Sequence, residues 1–212
     1  MHRVPLHDLV RHGGRMKTRR PPRRIPEVLD PEEQARILGE LERSDSLSAL
    51  RNLALVRLLL NAGLRAREAR ELKIKYLDFG TGKLKVRGKG RKERIVWLSA
   101  EDLALVRAWL DRKPSGKPSP SGDLIFTSLD GSRPVNDRWL RRMVKRVAEQ
   151  AGIVKDIHPH SLRHTFATDL LRSTKNLRLV QKALGHSNIE TTTIYAHIVD
   201  DELESAMKEL RK

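Results

Sequence analysis

The chain has 212 residues, 38% of them apolar, which is enough for one sizeable core. The absence of cysteine excludes disulfide staples and thiolate metal sites. Its 43 lysines and arginines face only 27 acids, a formal charge of +16. A field of that sign recruits polyanions, nucleic acid first among them. Ribosome-associated and thermophile proteins can be as basic, so charge alone leaves the partner open.

Residues 1–26 hold eight basic residues (Arg3, Arg11, Arg15, Lys17, Arg19, Arg20, Arg23 and Arg24) against one acid, Asp8. With Pro21, Pro22 and Pro26 among them, they read as a flexible basic arm, which either follows a phosphate backbone or is a solvated tail. No apolar segment opens the chain, and Arg57 interrupts the best apolar run, 53–60. Neither a secretory signal nor a membrane span is therefore expected, and the expected compartment is the cytoplasm.

Residues 27–212 read as a single domain. Asp30-Pro31-Glu32-Glu33 starts a helix that runs to about residue 43, with an Asp cap, Pro at the first position and acids in the first turn. A second helix, 47–62, is apolar on most sides and should be central; Gly63 ends it, and 68–72 is a short helical segment. The period then changes to two: 72–75, 84–86 and 95–98 alternate, with turns at 78–82 and 88–92, which predicts three antiparallel strands.

Helix returns over 101–110, a Pro/Gly/Ser loop occupies 113–122, and 124–127 is a short buried piece. Asn136 or Asp137 caps a helix with the stripe Trp139, Leu140, Met143, Val144 and Val147. Ser161 should open the next helix, with Leu162, Phe166 and Leu170 inward. Residues 176–184 form a helix stopped by Gly185, another follows carrying Tyr195, and a short amphipathic helix (Leu203, Met207, Leu210) ends the chain. The predicted fold is mainly α (α+β): a helical domain with a small three-stranded antiparallel β-sheet near residues 72–98.

Three segments are polar where packing alone would not require it. Arg65 follows the end of a buried helix, and Glu68 three residues later can hold its guanidinium; such a fork suits phosphate oxygens, though a surface ion pair has the same spacing. His160 and Arg163 are three apart at a helix start that itself favours an anion. Near them stand His158, His164 and Asp156, but the spacing matches no zinc pattern and no metal is expected. Leu184-Gly185-His186-Ser187 precedes Ile194-Tyr195, where a lone tyrosine is as readily a packed residue. Arg87-Gly88-Lys89-Gly90-Arg91-Lys92 is no Walker loop, since Gly90 stands where Ser or Thr should follow the Lys. It reads as a β-turn that projects Lys89 and its basic neighbours Arg87, Arg91 and Lys92 toward phosphate, as candidate nucleic-acid contacts.

Together these segments resemble the tyrosine recombinases of the Xer and phage-integrase type. The resemblance rests on Gly63-Leu64-Arg65-x-x-Glu68, Gly88-Lys89-Gly90-x-Lys92-Glu93-Arg94, His160-x-Leu162-Arg163-His164 and Leu184-Gly185-His186-Ser187, with Tyr195 nine positions beyond His186, in that order. It covers about residue 25 to the C-terminus.

The resemblance implies that Tyr195 attacks the scissile phosphate of double-stranded DNA, leaving a 3′-phosphotyrosine. Arg65 and Arg163 would clamp the non-bridging oxygens, Lys89 would protonate the leaving 5′-oxygen, His160 would assist proton transfer and His186 would donate to the phosphate. Glu68 would orient Arg65, and His164 would lie against the DNA. Neither metal nor ATP is implied as a cofactor. A homotetramer on DNA is implied, with the C-terminal helix exchanged between subunits or docked on its own domain.

The sequence departs from the family in having His186 where some relatives carry Trp, and in Ala66-Arg67. It departs most at the front, where residues 1–26 are too short and polar for the usual core-binding domain. A type IB topoisomerase-like relaxing activity and a non-catalytic DNA-binding module of the same fold are the competing functions.

Overall fold

The structure, a computed structural model, describes residues 27–88, 93–114, 123–185 and 207–210. The first helix, α1 (Pro31–Glu42), opens as its sequence dictates. Asp30 accepts the Glu33 amide at 2.8 Å while Glu33 reaches back to the Asp30 amide at 2.9 Å. Helix α2 (Leu47–Asn61), capped by Ser46, is the centre of the molecule. Leu55, Leu58 and Leu59 are wholly buried, and α1, α4 and α6 pack around it. A helix apolar on most sides can only be stable with neighbours on most sides.

The short α3 (Ala66–Arg70) follows, then a 3₁₀ turn at Ile74–Tyr76. The sheet is a two-stranded hairpin of β1 (Lys83–Arg87) and β2 (Glu93–Trp97), with Lys83 opposite Trp97 and Arg87 opposite Glu93. The third strand expected at 72–75 does not form. That stretch makes one bridge, Lys73 to Leu124, and then tightens into the 3₁₀ turn, leaving Ile74 37% exposed. Its alternation therefore does not mark a buried face, and of this segment only Leu77, bridged to Leu84, pairs with β1 through the backbone ladder.

Helices α4 (Ala100–Arg112), α5 (Asp137–Gln150), α6 (Pro159–Thr174) and α7 (Leu177–Leu184) complete the fold. Asn136 caps α5 by accepting the Trp139 amide at 2.8 Å. Helix α6 begins two residues before the expected Ser161: Pro159 takes the first position and His158 is the cap, its Nδ1 accepting the Ser161 amide at 3.1 Å. Leu162 is buried as expected, whereas Phe166 and Leu170 are only partly covered; Ala167 and Leu171 fill the core instead. Among the described residues no helix is long and apolar enough to cross a membrane. The basic arm 1–26 and all but the last turn of the terminal helix lie outside the described residues.

Candidate active site

Arg65, Glu68 and Arg163 come together although 95 residues separate Glu68 from Arg163. Arg65 stands just before α3 because Gly63, at φ +57°, turns the chain out of α2. A Cβ at Gly63 would overlap the Phe166 ring of α6, so only glycine allows α6 this close. Glu68 Oε2 accepts the Arg65 backbone amide at 2.7 Å, and Oε1 accepts Arg65 Nη1 at 2.8 Å. Glu68 thus holds the Arg65 guanidinium, as the spacing allowed, with the Arg65 side chain still 36% exposed.

Arg163, on α6, is almost covered. Its Nη1 donates to the Gly63 carbonyl, its Nη2 donates to the Leu184 carbonyl at 2.7 Å, and its guanidinium lies 3.7 Å from Glu68. It thus closes the C-terminal ends of both α2 and α7 while facing the Arg65–Glu68 pair.

Sequence reasoning passed over Arg94, quoted within a motif but given no role. From β2 it donates to both Glu68 oxygens, at 2.7 and 2.8 Å, and through Nε to the Ala183 carbonyl at 2.8 Å. Gly185, at φ +63°, lets the chain turn closely past its side chain: a Cβ there would sit 3.0 Å from Arg94 Cδ. A signal existed, since Arg94 shares the inward face of β2 with Val96, and a cation on that face needs a buried acid. Burial would raise the Glu68 carboxyl, but the Arg94 hydrogen bonds and the surrounding charges outweigh it and hold the group down at about 2.

His160 sits exposed in the first turn of α6, with its ring 6.0 Å from that of His158. Desolvation at its base and the nearby positive charges, His158 first, lower its pKa. His164, one turn on, is half-buried and held at about 4 by burial, with His160 and Arg163 adding to the effect, so it is neutral at pH 7. No His/Asp/Glu cluster able to hold a metal occurs among the described residues.

Arg87 ends β1 in an ion pair with Glu93 at 2.9 Å, and its guanidinium lies 4.7 Å over the Tyr76 ring. This fixes the end of β1, two residues before Lys89. Lys89, Arg91, Lys92, His186 and Tyr195 themselves lie outside the described residues.

A second basic surface was not anticipated. A cavity of about 630 Å³ is lined by Arg51, Arg138, Arg142, Arg146 and Trp139, with no acid in its wall. Arg51 is buried, stacks 4.2 Å over Trp139 and donates to the Thr127 carbonyl at 3.1 Å. Burial lowers its pKa to about 10. The sequence did carry the stripe: Arg138, Arg142 and Arg146 recur every fourth residue of α5.

The Phage integrase family matches residues 27–202, and the chain belongs to that family. It is 38% identical over 177 residues to tyrosine recombinase XerC of Xanthomonas axonopodis pv. citri, covering 84% of this chain and 56% of the relative. It is 35% identical over 185 residues to XerC of Lactobacillus leichmannii, covering 86% and 62%. The chain thus spans little more than half the length of these relatives.

Among solved structures it resembles XerH site-specific recombinase bound to a palindromic difH substrate in a post-cleavage complex, with TM-score 0.75 and 31% identity over 89% of this chain and 54% of that one. XerA recombinase superposes with TM-score 0.75 and 33% identity over 90% and 67%. The catalytic domain of bacteriophage HP1 integrase matches over 86% of this chain and 94% of its own length, with TM-score 0.58 and 26% identity.

Proposed function

We propose that this chain is the catalytic part of a site-specific recombinase, cleaving and rejoining double-stranded DNA in the cytoplasm. The observation that carries the reading is the convergence of Arg65 and Arg163 on one buried carboxylate, with His160 in the first turn of the helix that carries Arg163. Paired arginines stabilise charge that develops on phosphoryl oxygens. Tyr195 Oη attacks phosphorus and the P–O5′ bond breaks. The electron pair leaves on O5′, which takes a proton from Lys89, and the tyrosine proton passes toward His160. His186 donates to a non-bridging oxygen, while Glu68 orients Arg65. A 5′-hydroxyl reverses the step. Because one phosphodiester replaces another, the exchange needs no ATP, and with the arginines neutralising the phosphate it needs no metal. Residues 27–212 form this domain and residues 1–26 a basic arm.

The duplex would run over the cavity beside α5, where Arg138, Arg142 and Arg146 meet its phosphates, with Arg87, Arg91, Lys92 and His164 closer to the cut. The working form is a homotetramer in which the C-terminal helix passes to a neighbour. Supporting this, an apolar groove of about 940 Å³ runs between β2, α6 and α7 past Ile95, Trp97, Phe166 and Leu179. At the chain end Met207 and Leu210 are 51% and 85% exposed.

The test is covalent trapping: supercoiled plasmid and nicked duplexes are incubated with the protein in EDTA, then stopped with SDS. A protein–DNA adduct from the wild type but not from Tyr195→Phe is expected. An adduct that survives Tyr195→Phe, or none from either protein, refutes the reading. Relaxed plasmid without recombinant product would mark a topoisomerase-like outcome.

A further inference from the structure

Glu68 is one carboxylate among three guanidiniums: Arg65 and Arg94 in contact and Arg163 at 3.7 Å. Arg94 is bound most completely. It meets both carboxylate oxygens, its Nε–H is spent on the Ala183 carbonyl, and its side chain is only 8% exposed. Arg94 is therefore closed to a ligand. What it changes is the charge that Arg65 and Arg163 present.

With Arg94 in place the cluster carries two positive charges in excess of Glu68. Without it, the buried carboxylate would be left with Arg65 as its contact partner, would hold Arg65 and draw in Arg163 more tightly, and would cancel much of their field, because an under-compensated buried charge is strongly disfavoured. The same guanidinium ties the end of α7, from which the chain proceeds to His186 and Tyr195, to the carboxylate that orients Arg65.

The geometry points to Arg94 as a positioning residue of the phosphate clamp: it neutralises Glu68 so that the exposed Arg65 stays available to phosphate oxygens and the field of Arg163 is not cancelled. This rests on the proposed role of those two arginines.

The test uses the full chain, isotope-labelled, titrated with inorganic phosphate. Affinity is read from the Nε–H resonances of Arg65 and Arg163 for wild type, Arg94→Met, Glu68→Gln and the double variant. Arg94→Met should weaken phosphate binding about tenfold, whereas in the Glu68→Gln background the same change should cost less than about threefold, since no carboxylate is left to interfere. Arg94→Lys, which keeps the charge, should recover most of the loss.

A role in packing alone predicts equal losses in both backgrounds, and that result overturns the inference. So do an unchanged affinity in Arg94→Met and a wild type that takes no phosphate at these arginines. Where Arg94→Met does not fold, the double variant decides. It has no orphaned carboxylate, so its failure to fold would make Arg94 a fold residue and overturn the inference too. The covalent adduct is scored in parallel. A wild type that binds phosphate in this pattern yet forms no adduct refutes strand transfer and leaves the Arg94 role standing.

Discussion

At the scale of single residues, the histidines of α6 set a pH dependence. In the unfolded chain His164 titrates near about 6.5, while in the fold burial holds it at about 4. Between those values the unfolded state binds a proton that the folded state refuses. Stability is therefore complete above about pH 6.5 and falls as the pH drops toward 4. The slope should reach up to about 1.4 kcal/mol per pH unit, with the lowered His160 acting in the same direction. Glu68 works in a different window: held down at about 2, its contribution is present above its unfolded pKa and disappears only as the pH falls through that lower value. Denaturant melts from pH 7 to 4.5 should show the loss, and His164→Gln should flatten it. A slope unchanged in that variant would place the proton uptake elsewhere.

At the scale of elements, Gly63 is the joint between α2 and α6. Its backbone is left-handed and its open side is filled by the Phe166 ring. Gly63→Ala should cost about 2–4 kcal/mol, from backbone strain plus displacement of Phe166, and the melting temperature should fall accordingly. It should also move the carbonyl that holds Arg163.

Helix starts were legible because caps are local. Asp30-Pro31 and Asn136 announce themselves within four residues, and Gly185 ends α7 as the sequence implied. The start of α6 was misjudged by two residues because a histidine cap is an unusual choice beside the serine that follows it. The missing third strand was illegible for another reason. Leu72-Lys73-Ile74-Lys75 has strand periodicity, but whether a strand forms depends on a partner distant in sequence, and here the partner is only the short 123–125 segment, which makes a single bridge. Within the site, Arg65–Glu68 could be read from spacing alone. The contacts of Arg163 could not, because its acceptors are backbone carbonyls, which leave no trace in residue type. Arg94 lay in between, visible only once the inward face of β2 was assigned.

At the scale of the whole molecule, the +16 charge is not spread evenly over function. Many surface arginines are already paired, as Arg57 is with Glu101 and Asp102 and Arg67 with Glu71. The arginines lining the α5 cavity have no carboxylate in its wall. Counterion release should therefore be concentrated there. Arg142→Gln should lower the slope of log affinity against log salt by about 1 on any duplex, with little change in sequence preference. Fluorescence anisotropy between 50 and 200 mM salt, about the range in which such slopes are read, checks it. A slope identical to wild type would move the duplex off this face.

Arg163 closes the ends of α2 and α7 with the same guanidinium that faces Glu68. On the proposed clamp role, one side chain thus answers to two selections, abundance of the folded protein and turnover of its substrate. Arg65, a third exposed and bonded, among the described residues, to Glu68 alone, answers mainly to the second. A library of variants sorted by protein abundance, with no DNA in the assay, would already deplete position 163 and leave position 65 nearly untouched.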